Sequence, residues 1–346
     1  MNTPSSTDSE HFAIWPETEP SAPDHGMQGA RVLVTGAAGF VGRYLLRVLI
    51  SQAAEVIGLD VAAGSTPSEH EVICGDVNDA NLMTRLLGRL KPTHIFHLAG
   101  SLDRHTNDYA ALHEAHVAST NRLLEVVKAF GGTPRVLVAS SSAVYGATQA
   151  SDNPLQEDRG FRPMTPYAVS KVAQEMVALQ YYLVHDIWTV RVRAFNLIGP
   201  HQPAGLLASD VSQQLVHAEQ ARTEAVLKVG DLTPRRDFVD VRDAVRAYLL
   251  LASLGRPGEV YNICSERSHA ASECVDLLAR MARVPVRVES DASRRAGREV
   301  SDQVGSAQRL RRLSGWQPQI SFEESLRDVL EACRGQTKEL AWRGPG

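Results

Sequence analysis

A tyrosine and a lysine lie four residues apart, Tyr167 and Lys171, in the run TPYAVSKVAQE. On a helix these two positions lie one above the other on the same face, so the phenol would stand beside the ammonium. A nearby positive charge favours the phenolate, as a group that moves a proton near neutral pH requires. The same spacing occurs by chance on many helices, so its meaning depends on what the chain places beside it.

The run VLVTGAAGFVG passes from a short apolar stretch through a glycine turn into an apolar helical pattern that begins with Phe40 and Val41. Gly36 would make the tight turn, Gly39 would let the backbone approach a pyrophosphate, and Gly42 would let the helix pack closely on the strand. The pyrophosphate would rest on the N-terminus of the helix. This order of strand, turn and helix predicts a dinucleotide site.

The next apolar run, EVIGLD, ends at Asp60. A carboxylate at the end of the second strand can accept hydrogen bonds from both ribose hydroxyls of NAD, and it repels the extra phosphate of NADP. We therefore predict NAD as the cofactor, with NADP disfavoured by Asp60.

A run of hydroxyl side chains, ASSSAVYG at residues 139 to 146, follows the apolar run RVLV. Residues at the carboxyl ends of parallel strands line the crevice in which doubly wound sheets bind ligands. The serine run would then stand near Tyr167 and Lys171 and supply a third polar group.

Apolar runs alternate with helical patterns up to residue 195, which predicts a parallel sheet with helices on both faces. The predicted strands are 31–35, 55–60, 71–74, 94–98, 135–141 and 188–194. Beyond them, short strands such as EVYNI mix with helical stretches near 206–219, 240–254, 270–283 and 321–334. The expected fold class is α/β, a doubly wound Rossmann-type parallel sheet with a smaller mixed α/β C-terminal lobe.

These patterns divide the chain into four parts. Residues 1–28 are rich in Ser, Pro, Glu and Asp and are predicted to form a disordered tail. Residues 29–195 would bind the dinucleotide, residues 196–335 would mainly form the substrate lobe, and residues 336–346 would form a second tail.

Composition excludes several classes of partner. With 346 residues and 43% hydrophobic content the chain can bury a large core, and its net charge of −4 gives no basic surface for nucleic acid. No apolar stretch has membrane-spanning length, and no secretory signal is recognised. Four widely spaced cysteines and no paired metal motif predict a cytoplasmic protein with reduced thiols and no metal. His94 and His97 are interpreted as packing residues.

Together the motifs resemble the extended short-chain dehydrogenase/reductase family, in its branch of NAD-dependent epimerases and dehydratases that act on nucleotide-diphosphate sugars. The resemblance runs from about Arg31 to about Cys333. Its motifs are TGAAGFVG, GDV at 75 to 77, HLAG at 97 to 100, SSSAVYG, YAVSK, RAFNLIGP at 193 to 200 and RRDFVDVRD at 235 to 243. The C-terminal half looks closest to GDP-4-keto-6-deoxymannose reductases.

The resemblance implies a role for each matching residue. Ser141 would hydrogen-bond the reacting oxygen, Tyr167 would donate or accept the proton, and Lys171 would hold the nicotinamide ribose. The implied cofactor contacts, besides Tyr167 and Lys171, are Gly36, Gly39, Phe40, Val41, Gly42, Asp60, Asp76, Val77, Leu98, Ala99 and Gly100. The implied substrate contacts are Ser142, Asn196 and Arg236.

Ala143 separates the reactions that the resemblance allows. Dehydratases of the family carry a glutamate there as a base, and alanine cannot transfer a proton, so a 4,6-dehydratase is disfavoured. The favoured alternative is a reductase that converts a 4-keto-6-deoxy sugar nucleotide to a 6-deoxyhexose. A 4-epimerase with tightly held NAD is the second alternative, which Asp60 favours. A non-catalytic sensor is disfavoured because Ser141, Tyr167 and Lys171 are all present.

Three positions depart from the reductase-like pattern. Ala296 and Glu299 stand where an arginine and an aspartate are expected, and His116 replaces the family's usual asparagine. The sugar and the nucleotide base are therefore left open, as is the backbone-bridging role of residue 116. A homodimer that pairs through helices near 108–129 and 165–184 is expected from the resemblance.

Overall fold

The computed structural model describes residues 27–52, 54–62, 72–101, 106–291 and 302–341. The strands are β1 (Arg31–Thr35), β2 (Glu55–Asp60), β3 (Val72–Cys74), β4 (His94–His97), β5 (Arg135–Ala139), β6 (Thr189–Ala194), β7 (Asn196–Ile198), β8 (Ala225–Val229), β9 (Arg235–Asp240), β10 (Val260–Ile263), β11 (Ser268–Ala270), β12 (Val286–Ser290) and β13 (Asp302–Gln303). The α-helices are α1 (Phe40–Ser51), α2 (Ala80–Leu90), α3 (Tyr109–Leu112), α4 (Ser119–Phe130), α5 (Pro166–His185), α6 (Leu207–Ala221), α7 (Val241–Leu254), α8 (Ala271–Arg280), α9 (Gln308–Ser314) and α10 (Phe322–Ala341).

The main sheet has seven parallel strands in the order β10-β6-β5-β4-β1-β2-β3. The strand order reverses between β1 and β4, and such a switch point opens a crevice at the carboxyl ends of the strands. The six strands that the sequence predicted are all present, each within two residues of its predicted ends. The predicted α/β fold class is confirmed.

Both faces of the sheet are buried. Val32 and Val34 pack into a core shared with α1 and α7, whereas Leu33 between them packs into a second core shared with α2 and α4. Successive side chains of a strand point to opposite faces, so β1, β4 and β5 supply both cores. The residues of β6 and β10 that join a core, Val190, Val192, Tyr261 and Ile263, all join the first.

One strand lies elsewhere than predicted. EVYNI was placed in the smaller lobe, but β10 pairs in parallel with β6 and forms an edge of the main sheet. All four β10 residues are buried, which is typical of strands covered on both faces. The chain therefore returns to the main sheet after β7, β8 and β9.

The smaller lobe is mixed, as predicted. Its centre is β9, which pairs in parallel with β7 and β13 and antiparallel with β11. β8 and β12 form a separate parallel pair. Helices α6, α8 and α10 bury a third apolar core with these strands.

The two predicted tails lie mostly outside the described residues. Met27 was assigned to the first tail, yet its side chain is fully buried in the core. At the other end, α10 continues to Ala341 and so extends into the predicted second tail. None of the helices in the described ranges is both long enough and apolar enough to cross a membrane.

Candidate active site

A cleft of ≈ 980 Å³ opens at the switch point of the main sheet. The predicted cofactor and catalytic residues that line it are Gly36, Gly39, Phe40, Val41, Gly42, Asp60, Asp76, Val77, Leu98, Ala99, Gly100, Ser141, Tyr167 and Lys171. Residues from five strand ends and two helices thus meet in one cleft, although they lie far apart in the sequence, from Gly36 to Lys171.

The glycine turn is shaped by close backbone approaches. Gly36 has φ +72°, and a Cβ there would lie 2.7 Å from the Ala99 nitrogen. A Cβ at Gly42 would lie 2.2 Å from the Gly36 oxygen, so the close packing is against the turn itself rather than the strand. Gly39 is the N-cap of α1 and supplies no side-chain cap. The first N–H groups of α1 can therefore bind an anionic pyrophosphate.

Asp60 is held by the backbone on both sides. Its Oδ2 accepts the Ala38 N–H at 2.9 Å, and its Oδ1 accepts the Ala62 N–H at 2.9 Å. A carboxylate has about four lone-pair sites, so ribose hydroxyls can still donate to it. Asp60 thus fixes the glycine turn as well as offering acceptors at the edge of the cleft, and the turn and the carboxylate together fit a dinucleotide.

The start of α5 sets the position of Tyr167. Thr165 caps the helix by accepting the Ala168 N–H at 3.1 Å, and Pro166 occupies the first turn. Tyr167 and Lys171 then lie one helical turn apart, with exposed fractions of 4% and 6%. The Lys171 Nζ lies 6.0 Å from the centroid of the Tyr167 ring. The ammonium therefore stands beside the phenol.

Ser141 follows β5 and caps a short 3₁₀ turn, Ser142–Tyr145. Its Oγ accepts the Ala143 N–H at 3.2 Å. The hydroxyl hydrogen is then able to donate to an oxygen atom in the cleft. Ala143 itself lies in this turn and offers no acid or base.

A buried ion pair between Glu175 and Arg193 lies next to the segment that carries Ser141. Glu175 accepts from the Ser140 Oγ at 2.6 Å and from the Arg193 Nη2 at 2.8 Å. Arg193 also donates from Nη1 to the Tyr145 hydroxyl at 3.1 Å, and burial raises the pKa of Tyr145 to about 12. The network joins β6 to α5 and to the segment after β5, and these last two carry the catalytic candidates.

His116 lies in a π-helical segment, His113–Ala118, and its ring contacts Tyr167 edge-on at 5.5 Å between centroids. Its Nδ1 lies 2.9 Å from the Ser170 Oγ, and its Nε2 lies 3.1 Å from the Ser101 nitrogen. Burial and the Lys171 charge lower the pKa of His116 to about 3, so the ring is neutral. This histidine thus links the backbone of Ser101 to the side chain of Ser170 on α5.

His97 ends β4 and is fully buried. Its Nδ1 lies 2.8 Å from the Thr35 Oγ1, and its Nε2 lies 2.9 Å from the Thr120 Oγ1. Burial and then the Lys171 charge lower the pKa of His97 to about 3. Across the described ranges, no group of three or more His, Cys, Asp or Glu side chains is arranged to hold a metal ion.

The three predicted substrate contacts are not among the described residues that line the cleft. The Ser142 carbonyl accepts from the Gln303 Nε2 at 3.4 Å, in the interior. Asn196 donates from Nδ2 to the Asp237 carbonyl at 3.1 Å, and Arg236 donates to the Arg235 carbonyl at 2.8 Å. Their roles stay predictions. Ala296 and Glu299 lie outside the described residues.

Several cleft residues were not predicted. Phe195 follows β6 and lines the cleft, so the strand-end rule that found Ser141 could have found it. Leu197 of β7 lines the cleft as well. Tyr248 of α7 and residues 203–206 also line it. No local sequence pattern marks these positions, because they reach the cleft through tertiary packing: Tyr248, for example, belongs to the core that α7 shares with the main sheet.

Comparisons with known proteins agree with this geometry. The sequence model of the NAD dependent epimerase/dehydratase family matches residues 32–264. GDP-6-deoxy-D-mannose reductase from Pseudomonas aeruginosa is 33% identical over 312 residues, covering 89% of this chain and 99% of that protein. UDP-glucose 4-epimerase from Mycolicibacterium smegmatis is 31% identical over 323 residues, covering 89% and 100%.

Solved structures agree as well. RMD from Pseudomonas aeruginosa, complexed with NADPH, superimposes with a TM-score of 0.79 at 32% identity, covering 89% of this chain and 99% of that one. The family match spans most of the chain, and the relatives are matched over nearly their whole length. This chain therefore belongs to the NAD dependent epimerase/dehydratase family.

Proposed function

We propose that this protein reduces the 4-keto group of a nucleotide-diphosphate 6-deoxyhexose, with a GDP-linked sugar as the first candidate. The observation that carries the proposal is the meeting of Ser141, Tyr167 and Lys171 in the dinucleotide cleft, with Ala143 where a dehydratase needs a base. The likeness to GDP-6-deoxy-D-mannose reductase supports the choice of substrate class.

In this proposal each catalytic residue has one task. When bound, the reduced nicotinamide supplies a hydride to the carbonyl carbon. Tyr167 donates its hydroxyl proton to the carbonyl oxygen, and Ser141 holds that oxygen by a hydrogen bond. Lys171 holds the nicotinamide ribose and stabilises the phenolate that remains on Tyr167. The products are a 4-hydroxy sugar nucleotide and the oxidised cofactor.

In this proposal the two lobes bind different molecules. Residues 29–195, completed by β10, would hold the cofactor, and most of residues 196–335 would hold the nucleotide sugar. Ser142, Asn196 and Arg236 keep their proposed substrate roles on the strength of the family resemblance alone.

We further propose that NADH is preferred to NADPH. The support is Asp60, whose carboxylate would lie against the 2′-phosphate of NADP. The relative RMD was solved with NADPH, so the preference would distinguish this chain from that relative.

A 4-epimerase is the second candidate. Asp60 favours it, because an epimerase keeps NAD bound, and the 31% identity to UDP-glucose 4-epimerase supports it as well. An epimerase would use Ser141, Tyr167 and Lys171 to oxidise and then to reduce the same carbon.

One experiment separates the two candidates. The purified protein is denatured and the released nucleotide is identified, and the native protein is then given a GDP-4-keto-6-deoxy sugar with NADH or NADPH. Consumption of one reduced cofactor per sugar supports the reductase. Retained NAD, no net consumption and conversion of a 4-hydroxy sugar nucleotide would contradict the reductase and support the epimerase.

A homodimer in the cytoplasm completes the proposal. Val169, Met176 and Leu183 recur every seven residues along α5 and are 42%, 38% and 68% exposed. An apolar stripe at this spacing fits the same stripe on a second copy of the chain. Sedimentation velocity tests the idea, since Leu183→Asp should convert a dimer to a monomer. Four cysteines without disulfides are compatible with a reducing compartment.

A further inference from the structure

Tyr248 of α7 presents a buried hydroxyl to the cofactor cleft. The residue is 2% exposed and lines the cleft, and no group in the described ranges forms a hydrogen bond with its hydroxyl. We propose that Tyr248 is a cofactor-binding residue, whose hydroxyl donates a hydrogen bond to the carboxamide oxygen of the bound nicotinamide. This role concerns the binding of the cofactor and does not depend on which sugar is reduced.

The ring and the hydroxyl of Tyr248 lie in different surroundings. The ring belongs to the first apolar core, together with Val34 of β1 and Val192 of β6. Within the described ranges, Thr148 and Ser212 have hydroxyl oxygens that are sealed from solvent and lack a partner, and the Tyr248 oxygen is not one of these. The small exposed part of Tyr248 therefore includes its hydroxyl oxygen, which opens to the cleft.

The Tyr248 hydroxyl is a donor near neutral pH. Burial raises the pKa of Tyr248 above its ordinary value, and the Tyr167 phenol raises it further, so Tyr248 keeps its hydrogen. A buried donor without a partner costs free energy in the empty protein. A ligand that places an acceptor beside this hydroxyl removes that cost when it binds.

The surroundings of Tyr248 select the nicotinamide end of the cofactor. Tyr167 acts on the pKa of Tyr248, so the two phenols lie near each other at the catalytic end of the cleft. The glycine turn and Asp60 belong to the pyrophosphate and the adenosine. At the nicotinamide end the cofactor carries ribose hydroxyls, which are assigned to Lys171, and the carboxamide. The carboxamide is thus the polar group that remains for Tyr248.

A hydrogen bond to the carboxamide would also orient the nicotinamide ring. The ring can rotate about its bond to the ribose, and this rotation exchanges the face that is turned to the sugar. A fixed donor in the core would hold the carboxamide on one side and so restrict the ring to one orientation.

The binding test compares NADH with ADP-ribose, which lacks the nicotinamide ring, by titration calorimetry. Tyr248→Phe should weaken NADH binding about fivefold, because one neutral hydrogen bond is lost, and should leave ADP-ribose binding within about twofold of the wild type. Equal losses for both ligands, or no loss for NADH, would overturn the inference.

A cofactor analogue tests the direction of the hydrogen bond. Reduced 3-acetylpyridine adenine dinucleotide keeps the carbonyl oxygen and has a methyl group in place of the amide nitrogen. Tyr248→Phe should weaken its binding about fivefold as well, since the acceptor is the same. A loss confined to NADH would overturn the donor role, because the hydroxyl would then bind the amide nitrogen.

Tyr261→Phe is the matched control. Tyr261 is also 2% exposed and belongs to the same core, but its hydroxyl accepts the Arg256 N–H at 3.2 Å and it does not line the cleft. This variant should bind NADH within about twofold of the wild type. Equal losses in Tyr248→Phe and Tyr261→Phe would overturn the inference in favour of a general packing effect.

The melting temperature without cofactor is a second readout. Tyr248→Phe removes a buried hydroxyl and leaves no other group unpaired, so this variant should melt no lower than the wild type. A lower melting temperature would show that the hydroxyl serves the fold and would overturn the inference. A wild type that binds NADH yet reduces no 4-keto sugar nucleotide would contradict the proposed function alone, and the binding comparisons would still decide the role of Tyr248.

Discussion

The two walls of the cleft are built differently. The wall that carries Tyr167, Lys171 and Ser141 is buried, and hydrogen bonds and an ion pair tie it to the main sheet. The opposite wall, residues 203–206, is a partly exposed loop held to α6 by the Gly205 N–H, which donates to Asp210 at 2.9 Å. Under the proposed function, the first wall would determine the chemistry and the second could change with the sugar.

The largest expected effect comes from the hydroxyl of the first wall. Tyr167→Phe removes the proposed proton donor and should lower kcat/KM about a thousandfold, with NADH binding retained. Steady-state kinetics measure it. The control is Tyr181→Phe on the same helix. The Tyr181 hydroxyl donates to the Asn121 Oδ1 at 3.0 Å, and Tyr181 does not line the cleft. Equal losses of kcat/KM in both variants would show that the first wall does not differ from the rest of the helix.

The ion pair behind the first wall should dominate local stability. Glu175→Leu leaves Arg193 buried without its carboxylate, which should lower the free energy of unfolding by at least about 3 kcal/mol. Urea denaturation measures the change. Glu323→Ala, which removes a pair between side chains that are 53% and 56% exposed, should cost less than about 1 kcal/mol. Similar costs for both variants would contradict the view that the first wall is the rigid one.

Acid should lower the free energy of unfolding through the protonation of His97 and His116, which lie beside the first wall. The pKa of each ring is lowered to about 3 in the fold, against about 6.5 when unfolded, so the unfolded chain binds more protons below pH 6.5. Stability is therefore full above pH 6.5 and is lost as the pH falls. The two rings together should cost about 2 kcal/mol between pH 6.5 and 5.5.

Urea titrations at several pH values measure this loss. His116→Asn should remove about half of it, since one of the two titrating rings is gone. An unchanged pH dependence in that variant would show that His116 is charged in the folded protein, contrary to its burial beside Lys171.

The smallest expected effect is on cofactor choice. Asp60→Ala removes the charge that opposes the 2′-phosphate, so the ratio of NADPH to NADH affinity should rise about tenfold. Asp79→Ala is the matched control, because Asp79 also accepts backbone N–H groups, those of Asn81 at 2.9 Å and Leu82 at 3.0 Å. The control should lose helix stability without changing the cofactor ratio.

The sequence predicted those parts of the site whose residues belong to short local motifs. Gly36, Asp60 and Tyr167 each belong to a motif in which neighbouring residues define the local backbone, so the element and its role could be read together. Gln174, which accepts from the Lys171 Nζ, donates to Thr120; the two are 54 residues apart and belong to no motif. Their contact exists only because α4 packs on α5, and no local pattern encodes that.

The placement of β10 was wrong for a related reason. Local patterns identified EVYNI as a strand, and the burial of all four residues of β10 fits a strand covered on both faces. Its partner is β6, and five elements, β7, α6, β8, β9 and α7, lie between the two strands in the sequence. Pairing between such distant segments is decided by tertiary packing, so the sequence located the strand and not its sheet.

The destination of the hydride tests the central claim most directly. The protein is given a 4-keto-6-deoxy sugar nucleotide and a reduced nicotinamide dinucleotide that carries deuterium at both C4 positions, and the product is examined by mass spectrometry and NMR. We predict one deuterium at C4 of the sugar and one oxidised cofactor for each product molecule. A product without deuterium, formed while the cofactor stays reduced, would contradict the account.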